Sequence, residues 1–84
     1  TDPQNSLVNY RVGLIYYNRA DFAKADPFLE KVVNLYPFDY DGLLLLAWNK
    51  LSLQKSREAK VLFQKVLLNN PGDESALEGL KLIK

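Results

Sequence analysis

The sequence predicts an all-α fold in which successive helices pair in antiparallel fashion. The first observation is a repeat, since Pro3, Pro37 and Pro71 follow one another at intervals of 34 residues. The second is that apolar residues recur at helical spacing between these prolines, and no β alternation persists. The third is that the connections are short, which makes neighbouring helices antiparallel. The 84 residues are enough for one domain.

The starts of the helices are indicated by capping residues. Asn5, Asp39 and Asp73 each follow a repeat proline by two positions and can accept hydrogen bonds from the first backbone N–H groups of a helix. Asp21 and Ser56 are the expected caps of the second helix in each pair, and the repeat prolines then end those helices. The expected helices span residues 6–18, 22–35, 40–53, 57–69 and 74–83.

One residue conflicts with this helical pattern. Pro27 lies about one turn inside the predicted helix 22–35. Because proline has no backbone N–H and its ring crowds the preceding turn, we expect it to kink this helix or delay its start. Asp26 and Pro27 can also be read together as a new cap and first turn.

The composition excludes several classes of chemistry. The chain contains no cysteine and no histidine, which rules out disulfides, Cys/His zinc sites and imidazole catalysis. A net charge of +1 gives no reason to expect nucleic-acid binding, which needs a clustered basic surface. No apolar run approaches the roughly 20 residues of a membrane-spanning helix. We therefore expect no metal, no cofactor and no nucleic-acid partner.

The candidates for catalysis are few. Asp39 and Asp41 flank Tyr40 and could be taken for a paired-carboxylate site. Their position at the start of a predicted helix explains them better, because Asp39 caps that helix and Asp41 favours its positive N-terminus. Asp21 and Asp26 are interpreted in the same way. The sequence therefore predicts a protein without enzymatic activity.

The two 34-residue units resemble the tetratricopeptide repeat (TPR) family. The residues that carry the resemblance are small or apolar at fixed places in each unit: Gly13, Tyr16, Ala25, Leu29 and Pro37, then Leu43, Leu46, Ala47, Ala59, Phe63 and Pro71. The resemblance implies a right-handed α-solenoid with two TPR units and a C-terminal capping helix. The implied boundaries are residues 1–5 for a linker or the end of a preceding repeat, 6–39 and 40–73 for the repeats, and 74–84 for the capping helix.

The resemblance also predicts how the helices pack. Gly13 against Ala25, and Ala47 against Ala59, should let the paired helices cross closely. Lys50 stands where the family usually has an aromatic residue, so we expect looser packing there, or compensation by neighbouring leucines.

The last helix is expected to close the array. Lys81 replaces the small residue of the other units and would clash with a following helix of the same unit. The outward side chains should be Glu78, Lys81 and Lys84, and the inward ones Leu77, Leu80 and Ile83. The N-terminal end has no such helix, so we expect that further repeats preceded it.

In repeats of this kind the first helix of each pair lines a concave surface, which is the usual ligand groove. The resemblance places eight residues in this groove: Tyr10, Leu14, Tyr17, Asn18, Leu44, Leu45, Trp48 and Leu51. Leu7, Ser52, Glu78 and Leu82 extend it. Leu43 and Leu46 should point into the core instead, which explains why one helix carries so many leucines.

The groove composition predicts the class of ligand. Carboxylate-clamp repeats grip acidic chaperone tails with basic and amide side chains, whereas the matching positions here are Tyr10, Leu14, Leu45, Ser75 and Gly79. We therefore reject that ligand class. An apolar groove with aromatic residues suits an amphipathic helix or a hydrophobic peptide from a protein partner.

An alternative function remains open at this point. The same apolar surface could be covered by a second copy of the chain, or by other parts of a longer repeat protein. Small repeat domains have little core, which also favours self-association. The oligomeric state distinguishes the two functions.

Overall fold

The computed structural model describes the backbone of residues 3–83 and the side chains of residues 6–83. Within that range the chain forms five α-helices and no strand. The helices are α1 (Pro3–Asn18), α2 (Phe22–Leu35), α3 (Tyr40–Ser52), α4 (Ser56–Asn69) and α5 (Glu74–Leu82). Helices α1 and α2 form one pair, α3 and α4 form the next, and α5 packs on α4 and α3. This is the predicted all-α solenoid of two units and a capping helix.

The core lies between the helices of each pair and continues from one pair to the next. The side chains buried in one continuous cluster are Ala25, Leu29, Leu43, Leu46, Ala47, Ala59, Leu62, Phe63, Val66 and Ala76. They include Leu43 and Leu46, as predicted. A Cβ atom on Gly13 would lie 2.6 Å from Cδ2 of Leu29 and 3.6 Å from the backbone oxygen of Ala25. The close crossing of α1 and α2 therefore depends on the absence of a side chain at Gly13.

The turns inside the two pairs have the same geometry at equivalent positions. Ala20 and Gln54 lie 34 residues apart and both adopt left-handed backbone conformations, with φ angles of 59° and 63°. The backbone N–H of Asp21 donates to the carbonyl of Tyr16 at 2.8 Å. At the equivalent place in the second pair, the N–H of Lys55 donates to the carbonyl of Lys50 at 2.9 Å. These bonds define a Schellman ending, which satisfies the last carbonyls of the first helix and turns the chain back.

Two of the predicted N-caps are confirmed. The Asp39 carboxylate accepts from the backbone N–H of Gly42 at 2.8 Å, and the Asp73 carboxylate accepts from the N–H of Ala76 at 2.9 Å. Each bond satisfies a donor that has no partner within its helix. The same aspartate N-cap therefore fixes the start of α3 and, one repeat later, the start of α5.

Two other predicted caps are wrong, and the third, Asp21, holds its predicted position without a capping bond. Asn5 lies inside α1, because this helix already begins at Pro3, a residue whose fixed φ suits the first position of a helix. Ser56 is the first residue of α4, and Lys55 holds the cap position without a side-chain bond. Asp21 does precede α2, but its carboxylate makes no capping bond and lies 3.8 Å from the ammonium of Lys24.

Pro27 neither delays α2 nor starts a new helix. The helix is continuous from Phe22 to Leu35 with Pro27 inside it. The proline ring is exposed, while Ala25 and Leu29 on either side are fully buried against the neighbouring helices. Tertiary packing of the apolar face therefore holds the helix together despite the missing hydrogen bond.

The capping helix differs from prediction at one of its three expected inward side chains. Glu78 and Lys81 are exposed and Leu80 is half-buried, as expected, but Leu77 is 42% exposed. Leu77 is the repeat equivalent of Leu43, which α4 covers, and no further helix in the described part of the chain covers Leu77. Ile83 follows the end of α5 and packs against the core, as predicted, and Lys84 lies outside the described residues. Gly79 adds a close approach of α5 to the ring of Phe63.

Candidate partner-binding surface

The predicted groove is carried by the first helices of the two pairs, and α3 packs against both α1 and α5. Seven of its eight residues are half-buried apolar or aromatic side chains, and Asn18 is exposed. Five of the seven pack against the buried core from one side: Tyr17, Leu44, Leu45, Trp48 and Leu51. Their other sides face solvent. We refer to the set Tyr10, Leu14, Tyr17, Asn18, Leu44, Leu45, Trp48 and Leu51 as the concave groove.

Trp48 occupies a fixed position in this groove. Its indole N–H donates to the hydroxyl of Ser75 on α5 at 3.0 Å. Its ring meets the ring of Phe63 edge-on, with centroids 5.2 Å apart. Trp48 therefore holds α5 against α3 and α4, and only part of its ring remains available to a partner.

The two tyrosines of α1 contribute differently to the groove. Tyr17 packs edge-on against Phe22 with a centroid distance of 5.4 Å, and burial raises the pKa of its hydroxyl. Burial also raises the pKa of Tyr10, and the carboxylates of Asp41 and Asp39 raise it further. The surroundings of Tyr10 are therefore electronegative, whereas those of Tyr17 are apolar.

A cavity of about 350 Å³ lies where the start of α1 meets the connection between α2 and α3. Its lining residues are Ser6, Leu7, Tyr10, Val32, Tyr36, Asp39 and Asp41. The predicted groove with its extension contains only Leu7 and Tyr10 of these, and the other five lining residues are absent from it. The signal that could have found the cavity is the comparison of the repeats, because Ser6 stands where the second unit has Tyr40. We call this space the Ser6 cavity.

A buried ionic cluster joins α3 to α2. Lys50 is 3% exposed, and its ammonium lies 2.8 Å from Oδ2 of Asp26 and 2.5 Å from Oε1 of Glu30. Burial alone lowers the pKa of Lys50, but the hydrogen bonds to these two carboxylates outweigh it and raise the pKa. A surface cavity of about 270 Å³ lies beside the cluster.

Asn49 extends this cluster. Its amide N–H₂ donates to the backbone oxygen of Phe22 at 3.0 Å and to Oδ1 of Asp26 at 3.2 Å. Its own oxygen is buried without a hydrogen-bond partner. Asp26 was interpreted from the sequence as a helix-terminal residue, which is wrong: it binds Lys50 and Asn49 across the repeat boundary. The cluster joins the first helix pair to the second through α2 and α3.

Within residues 6–83, no group of three or more His, Cys, Asp or Glu side chains could hold a metal ion. None of the helices in that range is long and apolar enough to span a membrane.

The geometry defines a class of protein, the α-solenoids built from stacked helix pairs. Within that class, the family model for the tetratricopeptide repeat matches residues 8–39 and 41–73. The chain therefore belongs to the tetratricopeptide repeat family. A search of curated proteins gives no significant match. Repeats of this family generally mediate protein–protein interaction or scaffolding and are typically not enzymes.

Proposed function

We propose that the chain is a protein–protein interaction module that binds an amphipathic helix or a hydrophobic peptide in the concave groove. The observation that carries the proposal is the half-exposed state of seven apolar side chains aligned on α1 and α3. None of the eight groove residues is charged, so the groove offers contact area rather than ionic recognition. An amphipathic helix presents an apolar stripe that can pack against such a surface.

The expected anchors of this interaction are aromatic. Tyr17 and Trp48 are half-buried and already held by neighbouring rings, so little side-chain entropy is lost when a partner covers them. Aromatic residues of this kind dominate binding hot spots. Tyr17 is the better residue to mutate, because Trp48 also holds α5 in place.

The test uses a synthetic amphipathic helical peptide with a leucine stripe and no aromatic residue. Its binding to the wild type is followed by backbone amide chemical shifts. Tyr17→Ala should weaken binding at least tenfold, as expected for the loss of a hot-spot residue. The matched control is Val61→Ala, which removes an exposed apolar side chain on α4, outside the groove. Circular dichroism checks that both variants keep their helices. Equal affinities of the two variants would contradict groove binding.

A second candidate function is assembly, and a different surface favours it. Val8 and Ile15 on α1 are 57% and 50% exposed. Their repeat equivalents on α3 are Gly42 and Asn49, which are buried. Gly42 approaches Val32 of α2, and Asn49 bonds another α2 residue. The face of α1 with Val8 and Ile15 is thus the one on which a further helix would stack.

Light scattering during size exclusion, from micromolar to near-millimolar protein, tests this second function. If the chain assembles through α1, a dimer should persist on dilution and Val8→Asp with Ile15→Asp should convert it to a folded monomer. Tyr17→Ala serves as the groove variant in the same series. A wild-type monomer at every concentration would contradict self-assembly, and a dimer broken only by Tyr17→Ala would place the assembly surface in the groove.

A further inference from the structure

The second repeat contains a contact that the first repeat lacks. The Tyr40 hydroxyl donates to Oδ1 of Asp73 at 2.5 Å. The other oxygen of Asp73 accepts the capping bond from the N–H of Ala76, and Asn70 donates to Oδ1 at 3.3 Å. One carboxylate therefore caps α5 with one oxygen and holds a tyrosine hydroxyl with the other.

The first repeat has the same carboxylate without the tyrosine. Asp39 lies 34 residues before Asp73 and caps α3 through Oδ2, which accepts from Gly42 at 2.8 Å. The residue 34 positions before Tyr40 is Ser6, whose side chain has no ring to reach the carboxylate. Ser6 and Asp39 both line the Ser6 cavity. The cavity therefore borders both the residue that replaces the tyrosine and the carboxylate equivalent to that of Asp73.

The lining of the cavity suits a side chain that is apolar with a hydrogen-bond donor at its end. Leu7, Val32 and the tyrosine rings supply apolar walls, and Asp39 and Asp41 supply acceptors at one side. Ser6 is only 8% exposed and adds a hydroxyl group to this lining.

We propose that the Ser6 cavity binds a tyrosine side chain of the protein partner, with its hydroxyl donating to Asp39 as Tyr40 donates to Asp73. This inference rests on the proposed interaction function and adds a second point of recognition beside the groove. It gives the partner a defined chemistry: an apolar helical or peptide segment with a tyrosine next to it. A phosphorylated tyrosine is disfavoured, because Asp39 and Asp41 repel its charge.

The test uses a fragment rather than a whole partner. N-acetyl-tyrosinamide is titrated into the wild type at millimolar concentrations while backbone amide shifts are recorded. Shifts are expected at Ser6, Leu7 and the amides of residues 39–42. N-acetyl-phenylalaninamide, which lacks only the hydroxyl, should bind about two- to tenfold more weakly, as expected for one hydrogen bond.

Two variants connect this binding to the cavity. Ser6→Tyr should fill the cavity from within, abolish the fragment shifts and raise the midpoint of thermal unfolding. Its matched control is Gln64→Tyr, which adds the same ring at an exposed position on α4 and should leave fragment binding unchanged. Asp39→Asn retains an oxygen for the capping bond but removes the charge, and should reduce the preference for tyrosine over phenylalanine.

Several outcomes would overturn the inference. Equal binding of the two amides, shifts that map elsewhere, or an unaltered preference in Asp39→Asn would each do so. Tighter binding of N-acetyl-argininamide would assign the cavity to a cation instead. If Ser6→Tyr does not fold, the inference is still tested by the preference of the wild type for the tyrosine amide over the phenylalanine amide, and by the loss of this preference in Asp39→Asn. Binding of the leucine-stripe peptide without fragment binding would overturn this inference alone and leave groove binding intact.

Discussion

Lys50 shows at the scale of a single residue how the two repeats are held in register. Its ammonium lies between the carboxylates of Asp26 and Glu30, so a charge on α3 is neutralised by charges on α2. Such a pair stabilises little compared with an apolar residue of the same size, but removing one member leaves the other uncompensated. The direction of a mutational effect therefore depends on which member is removed.

We predict that Lys50→Met lowers the free energy of unfolding by about 2–3 kcal/mol, because the largely buried Asp26 loses its counter-charge. Combining it with Asp26→Asn should recover part of this loss. The measurement is urea unfolding of both variants. Lys60→Met, at an exposed position on α4, is the control and should change stability by less than about 0.5 kcal/mol. If Lys50→Met and Lys60→Met had equal free energies of unfolding, the ionic cluster would contribute nothing to stability.

Lys50 also shows which kind of contact the sequence alone does not predict. Lys50 was recognised as a departure from the family pattern, and the looser packing beside it was expected. Its partners were not found, because the contact joins α3 to two positions of α2 that are 24 and 20 residues away in sequence. A charge pair across a repeat boundary has no periodicity, whereas the 34-residue period predicts the core residues directly.

At the scale of the helices, the docking of α5 depends on one close approach. A Cβ atom on Gly79 would lie 2.2 Å from Cζ of Phe63, so any side chain there pushes α5 away. A Cβ on Gly72, in the connection before α5, would meet nothing within 4 Å. The two glycines therefore have different roles although they lie in the same short segment.

We predict that Gly79→Ala destabilises the protein by about 1–3 kcal/mol through overpacking against Phe63. Because Trp48 contacts both Phe63 and Ser75 of α5, its fluorescence should report the displacement of this helix. Gly72→Ala is the matched control and should leave the fluorescence and the unfolding midpoint nearly unchanged. A wild-type Trp48 spectrum in Gly79→Ala would mean that Phe63 moves aside without cost.

The helix α2 provides a second test at this scale. Pro27 removes the hydrogen bond that a residue at this position would donate to the carbonyl of Ala23. We predict that Pro27→Ala raises the free energy of unfolding by about 1–2 kcal/mol, because the regained helical bond exceeds the added entropy of the unfolded chain. Pro37→Ala, in a connection between helices, should be neutral or destabilising. A free energy of unfolding for Pro27→Ala below that of the wild type would contradict this prediction.

The elements were largely predictable and their ends only partly so. Asp39 and Asp73 were found because an N-cap has a sequence preference and a physical reason for it. The left-handed residues that close the two pairs are Ala20 and Gln54, neither of which is the glycine that usually marks such a turn. Five of the groove residues, which the family resemblance predicted, pack at the edge of the core, while the Ser6 cavity became visible only in three dimensions.

At the scale of the whole molecule, several titrating groups make stability depend on alkaline pH. Burial lowers the pKa of Lys50, but its hydrogen bonds to Asp26 and Glu30 outweigh burial and hold the pKa above its ordinary value of 10.5. The pKa of Tyr40 is raised by its hydrogen bond to Asp73, and burial raises that of Tyr17. As pH increases through 10 to 11, the unfolded chain therefore releases these protons before the folded chain does.

The folded state then binds more protons than the unfolded state, so the free energy of unfolding must decrease as pH increases. We predict that stability from these groups is fully present at pH 8 and 9 and is lost progressively above about pH 10. Urea unfolding at pH 8, 9, 10 and 11 measures the slope. Tyr40→Phe and Lys50→Met should each make the decrease shallower, because each removes one of the titrating groups. A free energy that stays constant or increases between pH 9 and 11 in the wild type would contradict the linkage.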